Sequence, residues 1–143
     1  MKKNQKYAVL LLRVALAAGF LSAVSSRLSL WGEHSSGWEN FLTYTEQVNS
    51  FVPKNWIPTI AIASTILETL LALLLLIGYQ TKFAAVGAAL LTFGFALAMA
   101  YSFGVKEPLD YSVFTFSMAA FLLSTVEKYH WSLDEITLKN KTN

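Results

Sequence analysis

Two side chains stand out because of the surroundings in which they occur. Arg13 interrupts an apolar run that is otherwise free of charge from residue 7 to residue 26, and Glu68 sits inside a second apolar run, 57–77. A guanidinium in hydrocarbon costs about 2.5–3.5 kcal/mol on insertion scales, so it is seldom left without a partner. A carboxylate can meet it through two parallel hydrogen bonds, the least costly way to bury either group. If the first run crosses from inside to outside and the second returns, Arg13 lies about seven residues in and Glu68 about ten residues from the inner turn. Their backbones then differ in depth by only ~5 Å at helical rise. The sequence therefore predicts an Arg13–Glu68 pair, with Ser64, Thr65 and Thr69 beside Glu68 to satisfy spare lone pairs. Such a pair has two readings: a polar site for a headgroup, a quinone carbonyl or a proton, or a clamp that fixes one span against the other.

The stretch "KEPLDYSVF" (106–114) holds the next concentration of polar groups. Asp110 and Ser112 can cap a helix that starts there. The alternative makes Asp110 and Tyr111, together with Thr65, the rim of a pocket roofed by the long loop that precedes the second run. No other constellation offers chemistry. The two histidines, His34 and His130, fall in a loop and in the tail, so no pair can face across a haem. Glu33, His34 and Glu39 read as a solvated loop cluster rather than a metal site. Neither histidine has a nucleophile placed by a motif, and no glycine-rich phosphate loop is present. The chain has no cysteine, which excludes disulfides, thiolate metal sites, Fe–S ligation and thiol redox chemistry. No catalytic residue, metal ligand or intrinsic cofactor is expected, and a quinone is the one external cofactor that an intramembrane polar pair would suit.

The elements that must carry these residues follow from composition. The 143 residues are 55% hydrophobic and 14% charged, with a mean hydropathy of +0.46. Soluble domains carry roughly 25% charged residues, so this is membrane-protein composition. A span needs ~20 mostly apolar residues to cross ~30 Å of hydrocarbon. Four segments meet or approach that length: 7–24, 57–77, 83–103 and 109–126, the last being the shortest. The sequence predicts an all-α, polytopic four-helix membrane bundle in a single domain, 1–143. The basic start (Lys2, Lys3, Lys6) followed by an apolar run also has the form of a signal peptide, but Arg13 would interrupt its apolar region and cleavage would remove the partner of Glu68.

Lysine and arginine set the orientation. With the N-terminus inside, that side holds Lys2, Lys3, Lys6, Lys82, Lys128, Lys139 and Lys141, whereas the other holds Arg27, Lys54 and Lys106. Both termini are expected to be cytoplasmic. "GYQTK" (78–82) reads as a tight inner turn with Gly78 ending the second span, and "GVKEP" (104–108) as an outer one. In the outer loop 26–56, Trp38, Phe41, Leu42, Val48, Phe51 and Val52 recur at roughly helical spacing, which predicts an amphipathic helix in the interface or over the mouth of the bundle. Ala15, Gly19 and Ala23, like Ala84 with Ala88 and Gly94 with Ala98, offer close helix approach. In the tail 127–143, Ser132 and Glu135 stand at capping-box spacing. The small net charge of +2, with lysines concentrated at the ends, leaves no basic face for nucleic acid.

Three of these segments carry a family resemblance. "LLRVALAAGFLSAVSSRLSLWG", "ETLLALLLLIGYQTKFAAVGAALL" and "KEPLDYSVFTFSMAAFLL" together resemble the DoxX family of small bacterial four-helix membrane proteins, over nearly the whole chain, with Arg13, Glu68, Gly78, Thr81-Lys82 and "PLDYSVF" in the expected order. The resemblance implies a multi-pass protein of the bacterial cytoplasmic membrane. The family is named for a subunit of a thiosulfate:quinone oxidoreductase, which implies association with membrane redox assemblies. It supplies no family-wide catalytic set, and the absence of cysteine counts against the thiol chemistry of more distant relatives. The favoured expectation is an accessory or anchoring subunit that holds a membrane or peripheral oxidoreductase partner or a quinone at the bilayer. The alternatives are a small transporter or binding protein for a lipid-like or weakly acidic molecule, and a chaperone-like membrane interaction protein.

Overall fold

The computed structural model describes residues 3–141 and is helical throughout, with no strand among the described residues. Helix α1 is Lys3–Arg27, α2 Trp38–Val48, α3 Ile57–Ile77, α4 Thr81–Phe103, α5 Lys106–Asp110, α6 Val113–Ser124 and α7 Leu133–Lys141. Helices α1 and α4, and α3 with the turn before it, are long and apolar enough to cross a membrane. Their outward faces carry the large side chains that lipid accepts, among them Leu67, Leu70, Leu73, Leu90 and Leu97. The predicted loop helix is present as α2, with its apolar side turned onto α3 and α4. Of the charges that set the predicted orientation, Lys2 and the side chains of Lys139 and Lys141 lie outside the described residues.

Local sequence accounts for the turns. Pro58 stands in the first turn of α3, where its missing N–H costs nothing, and Gly78 ends that helix in the left-handed conformation, φ 69°. Its neighbour Gln80 is also left-handed, and α4 starts at once. The serine half of the tail capping box forms, the Glu135 amide donating to the Ser132 hydroxyl at 3.1 Å, while the Glu135 carboxylate accepts from the Trp131 amide at 2.9 Å.

Two expectations fail. The fourth span, predicted as one helix over 109–126, is broken: α5 and α6 are separated at Tyr111 and Ser112, the latter at φ 55°. The remaining α6 has 12 residues, or ~18 Å, too short to cross hydrocarbon alone. The small-residue pairs also differ in use. At Gly19 an added Cβ would lie 2.7 Å from the Phe116 ring, so this glycine lets α6 close on α1, whereas Gly94 has nothing within 4 Å and serves no close approach. Between α4 and α6 the packing runs through Ala85, Ala88, Ala89 and Ala120, and the Ser117 hydroxyl donates to the Ala89 carbonyl at 2.8 Å.

The helices are staggered along the bundle axis, and this stagger creates the site. Arg13 lies against Gly78, where an added Cβ would come within 2.7 Å of its Nη1, while Arg27 reaches Thr65 and Glu68 on the same helix. Helix α1 therefore stops about eight residues, ~12 Å, short of the Ile57 end of α3. Helix α6 behaves alike: Phe114 meets Phe93 on α4, about ten residues or ~15 Å before α4 ends at Phe103. The recess left above α1 and α6 is filled by the loop that carries α2. Below it, Leu16, Ala17, Phe20, Leu71, Ala72 and Leu75 form a continuous apolar core.

Candidate functional site

Glu68 is 2% exposed, and its partner is Arg27. The Arg27 Nη2 donates to Glu68 Oε1 at 3.0 Å and lies 2.9 Å from Oε2 in an ion pair, while Nη1 donates to the Thr65 hydroxyl at 3.2 Å. Thr65 in turn donates to the Ala61 carbonyl at 2.8 Å, which fixes the lone pair it offers to the guanidinium. The other face of the guanidinium lies over Phe41 of α2, its carbon 4.0 Å from the ring centroid. One cation thus joins α1, α2 and α3.

The predicted Arg13–Glu68 pair does not form. Its depth argument took each helix to begin level with the others at the membrane boundary, and the stagger places Arg13 ten residues, ~15 Å, from the level of Glu68. Arg13 is 2% exposed and donates through Nη2 to the Trp131 carbonyl at 2.7 Å. From sequence, Arg27 is expected in the outer loop 26–56, next to the serines at 25 and 26. The helix runs through both serines, and a long side chain at its last position can reach back into the bundle. The one usable signal was the length of that side chain.

None of the three predicted rim residues lines the cavity beside the Arg27–Glu68 pair: Thr65 stands behind it as an acceptor for Arg27, and the other two lie elsewhere. Asp110 pairs with Lys106 on the surface, and Tyr111 is exposed beside a groove between α1 and α6. Ser112 precedes α6 without a side-chain cap bond. The fourth helix contributes Val113 instead.

A cavity of about 160 Å³ opens onto the pair. Glu68, Ser64 and Arg27 form its floor, Phe41, Tyr44, Thr45 and Val48 its roof from α2, and Ile60, Phe95, Met99 and Val113 its walls. Burial holds the Tyr44 hydroxyl above the ordinary tyrosine range, and Glu107 and Tyr111 push the same way, so it stands there as a neutral phenol. Polar bonds seat the roof: the Ser102 hydroxyl donates to the Val48 carbonyl at 2.6 Å, and Lys54 pairs with Glu46 at 2.6 Å. Tyr44 stacks near Phe103 at 6.2 Å between centroids. The arrangement offers one ion pair, itself neutral overall, at the base of an aromatic and aliphatic chamber.

Residues 5–110 match the family model of methylamine utilisation protein MauE. The chain belongs to that family. The match runs from α1 through α5 and so contains Arg27, α2 and Glu68. It also replaces the DoxX resemblance read from the sequence: apolar spans, a Gly-Tyr turn and an intramembrane acid are features that small helical membrane families share, and the matched family is MauE. Membership and the three long apolar helices make this a membrane protein. No curated protein and no solved structure matches the chain.

Proposed function

We propose that this MauE-family protein is an accessory membrane subunit that holds a quinone-type ring in the cavity beneath α2 for an oxidoreductase partner. The observation that carries the proposal is the buried Arg27–Glu68 pair at the base of an aromatic-lined chamber. A buried ion pair seldom repays its desolvation by stability alone. An intramembrane pair is by default a site for something polar. An apolar cavity of about 150 Å³ accepts one benzene-sized ring, so a chamber of about 160 Å³ suits a single ring. The guanidinium supplies N–H donors for a ring carbonyl, and Phe41, Tyr44 and Phe95 supply faces for stacking. The family name ties its members to methylamine utilisation. Using an amine for energy means oxidising it, and a membrane quinone is a natural acceptor for the electrons.

Electron transfer belongs to the partner in this reading, since the chain carries no cysteine and its two histidines lie outside the long helices. The apolar core between Glu68 and Arg13, ~15 Å long, favours a holder over a relay. We place the protein as a multi-pass chain in the bacterial inner membrane, and the lysine distribution supports cytoplasmic termini, which puts the α2 roof on the outer side. A reporter fused at the C-terminus should be active only as a cytoplasmic reporter.

The test is extraction of the mildly solubilised protein followed by chromatography of its lipids. Wild type should yield quinone near one per chain, and Arg27→Gln/Glu68→Gln, a neutral pair of similar volume, should yield almost none. Quinone absent from wild type, or equal in both, would remove the proposal.

A further inference from the structure

The opposite end of the molecule, where the α3–α4 turn meets the tail, holds a second built site that the reading above does not use. Asp134 of α7 accepts from the Gln80 amide at 2.7 Å and from the Thr81 amide at 2.8 Å, so it caps α4 from a distant part of the chain. Arg13 lies within electrostatic reach of that carboxylate and offsets its charge. An open cleft of about 520 Å³ lies beside this cap, lined by Tyr79, Thr81, Lys82, Glu127, Tyr129 and Asp134.

Three features of the cleft point to a ligand. Thr81 is 0% exposed, yet its hydroxyl has no hydrogen-bond partner among the described residues, and it lines the cleft. A buried hydroxyl left so is costly unless something outside the chain meets it. Second, Thr81 opens a helix of 23 residues, and the amides of Lys82 and Phe83 belong to the first turn, where no helical carbonyl can take them. With the Lys82 amine alongside, this is a place for a phosphate. Third, the cleft is also lined by Glu127, which forms no ion pair among the described residues and is suited to an ammonium group. The exposed rings of Tyr79 and Phe83 stand at the rim, as side chains at headgroup depth do.

We infer that this cleft binds the phosphoethanolamine headgroup of a membrane lipid, with its phosphate on Thr81, Lys82 and the start of α4 and its ammonium on Glu127. A choline headgroup lacks N–H donors for Glu127, and a glycerol headgroup lacks the cation. Selectivity among the three is therefore the signature.

The full chain in mild detergent, titrated with equimolar phosphatidylethanolamine, phosphatidylglycerol and phosphatidylcholine, is measured by native mass spectrometry. The ethanolamine lipid should be retained about tenfold over the other two, the discrimination one charge-assisted hydrogen bond supplies. Glu127→Gln, on the surface, should erase that preference without altering the fold. Thr81→Val should weaken all headgroup binding and Thr81→Ser should restore it, with circular dichroism confirming that each variant is folded. Soluble phosphoethanolamine separates the two sources of this chemistry: displacement of the lipid supports recognition of the headgroup alone, and persistence of the lipid supports a bilayer ligand. Equal retention of the three lipids, a preference untouched by Glu127→Gln, or binding undiminished in Thr81→Val would overturn the inference.

Discussion

Arg13 and Arg27 lie on one helix, the first buried and the second 12% exposed at its side chain, and their surroundings make them different things. Arg27 meets a carboxylate, a hydroxyl and an aromatic face, and a cavity opens beside it. Arg13 meets a backbone carbonyl and is pressed against Gly78, with the tail laid across it. The first is a charge held ready beside empty space, and the second is part of a closed joint between α1, the α3–α4 turn and the segment before α7. Residue type was the same for both, although Arg13 lies inside an apolar run and Arg27 follows two serines at its end. What separates them is the stagger of the helices, a property of packing that neither residue's local sequence encodes.

The comparison is broken most severely at Glu68. Glu68→Ala leaves Arg27 as an unpaired buried cation and should cost about 3–5 kcal/mol, read as a loss of folded protein in detergent melts, whereas the neutral Arg27→Gln/Glu68→Gln pair should recover much of it. If Arg13 were the true partner, Arg13→Gln/Glu68→Gln would be the pair that recovers. Next in size is the joint. Gly78→Ala would set a Cβ 2.4 Å from the Ser132 Cβ and 2.7 Å from Arg13 Nη1, at φ 69°, and should lower stability by about 2–3 kcal/mol without changing ligand binding beneath α2. Asp134→Ala removes the cap on α4 and should cost about 1–2 kcal/mol, with faster amide exchange confined to Gln80, Thr81 and the first turn. The smallest effect is expected at Glu46. Its pair with Lys54 is solvent-exposed, so Glu46→Gln should leave the melting temperature unchanged and only loosen the roof, seen as faster exchange in α2.

Much of this architecture was legible because it depends on local signals. The lengths of 57–77 and 83–103 identify α3 and α4, the spacing of Trp38, Phe41 and Val48 identifies α2, Gly78 marks the end of α3, and Ser132 with Glu135 marks the start of α7. What was not legible depends on relations between elements. The broken fourth helix turns on a left-handed Ser112, a residue that does not announce that conformation. The partner of Glu68 turns on the relative height of two helices, for which loop length and hydropathy leave several turns of freedom. Glu68 was recognised as the acid of the site and Thr65 as its neighbour. Arg27 was missed since a cation at a helix end looks like an ordinary boundary marker, and Asp110 and Tyr111 were placed at a rim that α2 and Val113 supply instead.

The central claim is that Arg27 and Glu68 together form the floor of a ligand site. Its most direct test is thermal unfolding of wild type, Arg27→Gln, Glu68→Gln and the double variant, each with and without a short-chain quinone. The account predicts that the ligand stabilises wild type, by about 2.7 kcal/mol at a hundred times its Kd, and stabilises the folded double variant far less. Equal stabilisation of wild type and the double variant, or none of wild type, would contradict it.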